Sequence, residues 1–264
     1  RRQKLRALVA LFLIVIAGMA VWGVSQLSYS SKLAINNVSI DGTKNVSASL
    51  VRAYVETKLH DGTYSILSHE NILLYPRAGI EKSISEYFPR IRTARISRDG
   101  LLAQAITVNI AERQPTAIWC AGDISAFRNS KDCYLMDDSG FIFAPSASSS
   151  QESYLIFGGN LSASATPIGQ TFLSGKLAGI WELETLLKQA GFSLEGAYAE
   201  NEQDFSVHFK EGFTLRALFS KDADTLVNNL QLALASDSLK GKENKLDYID
   251  LRFGNRLYYK AKSQ

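Results

Sequence analysis

The sequence predicts an α+β protein with one N-terminal transmembrane helix followed by two small domains. Three observations support this prediction. An uncharged apolar run, Ala7 to Val24, follows a basic N-terminus. From Ala34 to Ala111, strand and helix patterns follow one another in the order strand, helix, helix, strand, strand. From residue 114 onward, short alternating strand patterns dominate, with two or three helices among them, which indicates a mostly antiparallel β domain.

The N-terminal segment predicts a membrane anchor. A spanning helix needs about 20 mostly apolar residues, and the stretch without charge continues from Ala7 through Ser31. We assign residues 7–27 to the transmembrane helix and residues 1–6 to a short basic segment that stays in the cytoplasm under the positive-inside bias. The sequence therefore predicts a single-pass protein of the inner membrane with most of its chain outside the cytoplasm. A cleaved signal peptide is the alternative, since Gly18-Met19-Ala20 would suit a peptidase.

Composition argues against some classes of function. With 46% hydrophobic and 21% charged residues, the chain is typical of globular proteins. Its net charge of +3 falls to about −1 without the four leading cations, because 25 basic residues then face 26 acidic ones. Nucleic-acid binding through a basic face therefore has little support. The part behind the anchor exceeds a typical single domain of about 100 to 150 residues, which favours two domains.

The two cysteines, Cys120 and Cys133, both lie in the predicted exported part. Oxidising compartments favour disulfides, and a bridge over this short loop should contribute roughly 3 kcal/mol of stability. A metal site is a sharper alternative, but two cysteines without a nearby histidine supply half a ligand set. Two inert buried thiols are the remaining possibility. We predict the disulfide.

The elements of the first domain follow from periodicity, caps and prolines. Ser47 is a predicted N-cap, and Pro89 is predicted to stop the second helix. In chain order we predict a strand at Ala34–Ile40, a helix carrying the apolar stripe Leu50 to Leu59, a helix after Pro76, and strands at Ile91–Ser97 and Leu102–Ala111.

This order resembles a POTRA domain, in which a small sheet is covered by two helices, and we assign residues 33–113 to it. The resemblance rests on the passages "INNVSIDGTKNVS", "NILLYPRAGIEKSISEYFPRIRTARI" and "ITVNIAERQPTAIW", which together cover Ala34 to Trp119. The "PRIRTARISR" and "ITVNIAERQP" passages are similar to the FtsQ/DivIB cell-division family, where a strand of this kind leads out of the POTRA domain. The cysteine pair departs from that family's pattern.

The second domain, residues 114–260 with a tail at 261–264, is similar to the β domain of the same family. The ending "YIDLRFGNRLYY", from Tyr248 to Tyr259, is its most specific local match. Gly158-Gly159-Asn160 and Gly196 are predicted to form turns. The remaining predicted elements are strands around Trp119-Cys120, Cys133–Asp137, Phe141–Phe143, Tyr154–Phe157, Phe205–Phe209 and Phe213–Phe219, helices at Leu177–Leu187 and after Asp222, and a serine-rich loop at Ala147–Ser153.

The resemblance implies a non-catalytic scaffold of the divisome, concentrated at the division septum. The resemblance implies direct partners that are FtsB-like and FtsL-like coiled-coil membrane proteins. Through these it implies a connection to FtsW and the septal transpeptidase, and so a role in cell division and the cell cycle. Arg252 would meet an acidic residue of the partner, Phe253 would anchor an apolar one, and the partner strand would add along Leu257, Tyr258, Tyr259 and Lys260.

Physical reasoning supports the same C-terminal strand as a binding site. An edge strand leaves backbone groups unpaired, so a partner peptide can join as a new strand. The alternative is that Phe253 and Tyr259 merely pack the strand against its own domain.

An enzyme would need His60, His69 or His208, the chain's three histidines. His60 and His69 flank a predicted turn at Asp61-Gly62, and His208 is predicted on the outward side of a strand. No nucleophile elbow, zinc-protease helix or phosphate-binding glycine loop occurs in the sequence. We therefore predict no catalytic residue, metal site, cofactor or small-molecule substrate. A POTRA-containing secretion or outer-membrane assembly component and a membrane-anchored cell-wall hydrolase are the alternative functions.

Overall fold

The computed structural model describes residues 2–60, 66–122, 132–147, 154–161, 166–254 and 256–262. The chain forms two compact units, Arg1–Arg113 and Gln114–Gln264. The fold is mixed α and β, with an N-terminal apolar helix and a larger unit that is mostly sheet, which confirms the predicted α+β class at this level. The predicted turn at Asp61-Gly62 and residues 148–153 of the predicted serine-rich loop lie outside the described residues.

Helix α1 (Arg2–Ser28) is long and apolar enough to cross a membrane. It has 27 residues, and its mean hydropathy reaches 2.6 over an 18-residue window. At about 1.5 Å per residue the helix measures roughly 40 Å, against about 30 Å for a bilayer's hydrocarbon core. A signal sequence near the N-terminus can satisfy the same length and hydropathy criteria, so this helix is compatible with both the anchor and the cleaved alternative.

The first unit contains a three-stranded sheet, counted over its described residues. The elements are β1 (Asn37–Asp41), α2 (Ala48–Leu59), α3 (Arg77–Tyr87), β2 (Ile91–Ser97) and β3 (Ala105–Glu112). The strand order is β1-β3-β2, with β1 parallel and β2 antiparallel to the central β3. The stripe predicted on the first helix is buried through Val51, Val55 and Leu59, whereas Leu50 points to solvent.

Local differences from the predicted elements have simple causes. Strand β1 begins at Asn37 because the amides of Asn36 and Asn37 both donate to the carbonyl of Gln104. Ser47 occupies the N-cap position of α2, but its hydroxyl contacts that of Ser49 at 2.8 Å and makes no capping bond.

Glu112, at the end of β3, holds the loop that precedes α2. Its Oε1 accepts the backbone N–H groups of Lys44, Asn45 and Val46 over 2.7, 2.8 and 2.9 Å, and Oε2 accepts Nδ2 of Asn45 over 2.9 Å. Burial would raise the pKa of this carboxyl, but the hydrogen bonds outweigh burial and lower its pKa to about 2. Glu112 therefore stays ionised and keeps the loop against the sheet.

The second unit is built on a nine-stranded sheet, counted over the described residues. Its strand order is β12-β11-β10-β9-β8-β7-β4-β5-β6, with five antiparallel and three parallel pairings. The elements are β4 (Ala117–Cys120), β5 (Cys133–Met136), β6 (Ile142–Pro145), β7 (Leu155–Gly159), α4 (Leu177–Gln189), β8 (Leu194–Ala199), β9 (Asp204–Phe209), β10 (Thr214–Leu218), α5 (Ala223–Ala235) and, after a short 3-10 helix at Glu243–Lys245, β11 (Leu246–Asp250) and β12 (Tyr258–Ala261).

Helices α4 and α5 share one apolar core with the sheet. Inward side chains such as Leu183, Leu230, Val207, Leu215 and Ile249 are all buried in this cluster. Asp222 caps α5, the helix predicted to follow it, because its carboxylate accepts the N–H of Thr225 over 2.8 Å.

The predicted turns at Gly158-Gly159 and Gly196 are wrong. Gly158 and Gly159 end β7, and Gly196 lies inside β8, a strand that the sequence analysis missed. A Cβ on Gly196 would lie 2.5 Å from the carbonyl oxygen of Ile156, so glycine allows the neighbouring strand to approach. The glycine marks a close backbone contact here, which the sequence alone does not distinguish from a turn.

The predicted disulfide is confirmed. Cys120 and Cys133 are bonded, and they lie directly opposite each other on the antiparallel strands β4 and β5. Both are buried in a small apolar cluster with Ile118 and Ile156, separate from the main core of the unit.

Candidate functional site

Strand β12 forms one edge of the nine-stranded sheet. It pairs with β11 on one side, and within the described part of the chain no strand pairs with its other side. All four of its residues are exposed. An edge of this kind presents unpaired backbone N–H and C=O groups, to which another strand can add.

The strand is held firmly to its own sheet. Tyr258, Tyr259 and Lys260 lie opposite Asp250, Ile249 and Tyr248 of β11. Nζ of Lys260 lies 3.1 Å from a carboxylate oxygen of Asp247. Beyond the strand, the backbone N–H of Lys262 donates to the carbonyl of Lys245 over 2.8 Å and its Nζ to the carbonyl of Asn244 over 3.0 Å. The edge is therefore fixed before any partner arrives.

An internal ion pair shapes the turn between β11 and β12. Asp250 is buried, and its Oδ1 accepts Nε of Arg252 over 2.9 Å while Oδ2 accepts Nη2 over 2.6 Å. Nη1 of Arg252 lies 3.3 Å from Oδ2 of Asp204, at the start of β9. Burial would raise the pKa of Asp250, but the hydrogen bonds from Arg252 outweigh burial and lower that pKa. The same bonds raise the pKa of Arg252.

This pairing bears on the expected role of Arg252. The guanidinium of Arg252 already pairs with two carboxylates of its own unit, and 22% of the Arg252 side chain is exposed. An acidic partner residue would have to share the guanidinium with Asp250 and Asp204. The expected contact with a partner stays a prediction, and the structural role of Arg252 in holding the turn is evident.

Two aromatic side chains form an exposed pair beside the edge. Phe253 is 55% exposed and Tyr258 is 47% exposed, and their ring centroids lie 5.2 Å apart in an edge-to-face arrangement. Tyr259 is 49% exposed, and alternation along the strand places it on the opposite sheet face from Tyr258. Leu257 is half-buried and packs against the main core. We call Phe253 and Tyr258 the aromatic pair.

The structure thus brings some of the predicted site residues together and gives others a supporting role. The aromatic pair lies at the edge, Lys260 is in the strand, and Arg252 and Leu257 point toward the unit itself. Sequence reasoning missed Asp204, because it lies 48 residues before Arg252 and only the sheet topology brings them together. Asp250 is part of the "DLR" motif, but no sequence signal indicated that it binds Arg252.

A polar groove lies on the sheet face that carries Tyr248. It has a volume of about 490 Å³ and is lined by residues that include Tyr198, His208, Arg216 and Tyr248. The guanidinium carbon of Arg216 lies 4.2 Å from the ring centroid of Tyr248. Nδ1 of His208 lies 3.3 Å from the hydroxyl of Thr214, a contact with a neighbouring strand. Within the described ranges, no group of three or more histidine, cysteine or carboxylate side chains could hold a metal ion.

Comparison with known proteins adds no relative to this picture. The chain matches no protein-family model, and no curated protein matches it. The sequence motifs and the geometry of the β12 edge are therefore the features that bear on function.

Proposed function

We propose that this protein is a non-catalytic divisome scaffold of the FtsQ/DivIB type, and that a partner segment adds to its sheet along β12. The observation that carries the proposal is the open edge at β12, directly behind the "DLR" motif that resembles the end of that family's β domain. A strand-helix-helix-strand-strand unit directly behind the apolar helix supports a POTRA assignment for the first unit.

Backbone pairing alone would give a weak complex. A strand of four residues offers only a few outward backbone groups, and each net hydrogen bond contributes about 0.5–1.5 kcal/mol. The exposed aromatic pair adds apolar area next to those bonds, and buried aromatic side chains dominate the energetics of many interfaces. We therefore assign the larger share of the affinity to Phe253 and Tyr258, and the register of the partner strand to the backbone of β12.

Charge around the edge favours an acidic partner segment. Arg256, Lys260 and Lys262 are exposed in or beside β12, and Lys260 also pairs with Asp247 at 3.1 Å. Complementary charges at such a surface steer encounter and add specificity more than affinity. An acidic, apolar segment of an FtsB-like protein, bound together with an FtsL-like protein, fits this chemistry. In this function α1 anchors the chain in the inner membrane at the septum, and the exported units connect the early division ring to FtsW and the septal transpeptidase.

The test uses full-length protein purified in detergent with an FtsB-like protein from the same genome. Phe253→Asp places a charge in the aromatic pair, so we expect co-purification to be lost. Leu232→Asp is the matched control, because Leu232 is a 72% exposed leucine on helix α5 and belongs neither to β12 nor to the turn before it. The control should bind as the unmodified protein does.

A thermal melt of both variants separates loss of binding from loss of folding. We expect both melting temperatures to stay close to that of the unmodified protein, because both side chains are exposed. Undiminished co-purification of the Phe253→Asp variant would remove the edge-strand proposal.

A further inference from the structure

Exposed apolar side chains of the first unit concentrate around the point where α1 ends. Outside α1, the described residues of this unit include nine large apolar side chains that are exposed, and seven of the nine lie in three short segments. The exceptions are Leu50 and Tyr87. The seven are Tyr29, Ile66, Leu67, Leu73, Leu74, Leu101 and Leu102. We call these seven residues the leucine collar.

Hydrogen bonds attach the segment 66–74 to the end of α1. Ser28, the last residue of the helix, is buried, and its hydroxyl accepts the N–H of Ser68 over 3.1 Å. Nδ2 of Asn71 donates to the carbonyl of Ser28 over 2.8 Å. The N–H of Ile72 donates to the carbonyl of Leu33 over 2.9 Å. This part of the collar is therefore fixed next to the helix end.

The turn between β2 and β3, which carries Leu101 and Leu102, is attached to the same place. Nε2 of Gln104 donates to the carbonyl of Ser31 over 2.7 Å, and Nη1 of Arg98 donates to the carbonyl of Ile72 over 2.7 Å. All three segments of the collar thus belong to one hydrogen-bonded arrangement around residues 28–36.

An apolar environment would stabilise the leucine collar, because its side chains are exposed to water in the isolated chain. Leu101 and Leu102 are 68% and 61% exposed, and each Å² of apolar surface removed from water stabilises by roughly 25 cal/mol. Clustered exposed apolar surface is typical of protein or membrane interaction sites. The candidate environment is the bilayer that α1 can cross, because α1 is roughly 10 Å longer than a hydrocarbon core of about 30 Å. If α1 spans, its end at Ser28 lies at the bilayer interface.

We propose that the leucine collar inserts into the interfacial region of the bilayer that α1 crosses, and so holds the first unit against the membrane surface. This inference rests on α1 remaining as an anchor, which is part of the proposed function. The occupant is lipid of the leaflet at the Ser28 end of α1. Leucines inserted beside a spanning helix add apolar burial to that of the helix itself.

The test measures the environment of single labelled positions in full-length protein. The two native cysteines are buried and bonded to each other, so a cysteine introduced by Leu102→Cys or Leu73→Cys takes an environment-sensitive fluorophore. The protein is reconstituted into vesicles of phosphatidylethanolamine and phosphatidylglycerol, with or without lipids that carry a quencher. We expect blue-shifted emission and loss of most of the fluorescence with the quencher lipids.

Leu50→Cys is the matched control. Leu50 is a 63% exposed leucine of the same unit, near the start of α2. The other end of α2 lies near the collar, because Nδ1 of His60 is 2.8 Å from Glu70. Leu50 is about 14 Å from that end, at about 1.5 Å per residue. A label at Leu50 should show water-like emission and little quenching.

Three outcomes keep this inference separate from the anchor on which it rests. Release of the protein from vesicles by alkaline carbonate would contradict the anchor and with it the collar. Retention in the vesicles, with the Leu102 label as water-like as the Leu50 label, would overturn the collar alone. Blue-shifted emission without lipid quenching would mean that protein covers the collar, and would also overturn it.

Discussion

The two edges of the nine-stranded sheet differ in how they are protected. At the β6 edge, a following segment closes the sheet, because the N–H of Ile142 donates to the carbonyl of Gln170 and the N–H of Gly169 donates to the carbonyl of Ile142. Strand β6 also ends in Pro145, which has no N–H to offer. At the β12 edge, within the described residues, no segment of the same unit takes that position.

The small sheet of the first unit gives a second example of protection. The N–H of Ile96, on the edge strand β2, donates to Oε1 of Glu81 over 2.7 Å. A side chain of α3 therefore satisfies a backbone N–H that another strand could otherwise bind. Proteins normally protect exposed edges because unprotected edges recruit other chains. The difference between β6 and β12 therefore suggests that the open edge serves binding.

The largest effect should come from breaking the protected edge with Gly140→Ala. Gly140 has φ +86°, and a Cβ there would lie 2.4 Å from the carbonyl oxygen of Phe172. Left-handed strain and the clash together should destabilise the second unit by about 3 kcal/mol. Gly169→Ala is the control, since Gly169 has φ +93° with nothing within 4 Å of the added Cβ.

We expect Gly169→Ala to lose about 1 kcal/mol through backbone strain alone. Urea denaturation measures both losses, and amide exchange at Ile142 reports whether the β6 edge has opened. Equal losses in the two variants would mean that the backbone near Phe172 yields to the added Cβ at no cost, and that the close approach at Gly140 does not hold the edge closed.

A smaller effect is expected from Asp250→Asn, which weakens the turn that carries the open edge. The change removes the negative charge and one of the two acceptor oxygens that face the guanidinium of Arg252, so we expect a loss of about 2 kcal/mol at neutral pH. Asp247→Asn is the control on the same strand, because the ion pair of Asp247 with Lys260 is exposed and should contribute about 0–1 kcal/mol.

The pH dependence of stability sharpens this prediction. The pKa of Asp250 is lowered in the folded protein, so its contribution is fully present above the ordinary aspartate pKa of about 3.9 and is lost as pH falls through the folded-state value. We therefore expect the difference in free energy of unfolding between the unmodified protein and the Asp250→Asn variant to become smaller as pH decreases from 6 to 3. A gap that is constant with pH would contradict the assigned ion pair.

The smallest effect should come from Glu81→Gln, at the protected edge of the small sheet. The amide can still accept the N–H of Ile96, but the ion pair with Arg77 at 2.9 Å is lost. We expect a loss below about 1 kcal/mol. Glu81→Ala should lose about 1 kcal/mol more, because the N–H of Ile96 is then left unpaired.

Amide exchange at Ile96 measures the protection in the two Glu81 variants. Glu86→Ala is the control, since the Glu86 carboxylate pairs with Lys82 at 3.6 Å and is well exposed. Unchanged exchange at Ile96 in Glu81→Ala would mean that this side chain does not protect the edge.

Sequence patterns predicted much of the fold where local physics decides it. Strand β2 has its predicted bounds, and α3 lies between Pro76 and Pro89 as predicted, because proline limits the backbone wherever it occurs. Strand β8 was missed because Gly196 is compatible with both a turn and a close strand contact, and only the neighbouring Ile156 decides between them.

The candidate site was also predicted in part from the sequence and missed in part. The exposed aromatic side chains of the last strand were predicted as site residues, because the "DLR" ending resembles that of the FtsQ/DivIB family. The pairing of Arg252 with Asp204 could not be predicted, because Asp204 comes from another strand and reaches the turn only through the topology of the sheet.

The carboxylate of Glu112 fixes the point at which the chain leaves the first unit. Glu112 is the last residue of β3, and the first unit ends at the next residue, Arg113. The polypeptide therefore leaves the small sheet from a point that four N–H donors to one carboxylate hold in place. Mild acidification to about pH 5 would leave this exit point intact, since the pKa of Glu112 is about 2, whereas Glu112→Gln would loosen it throughout the pH range in which the carboxylate is ionised.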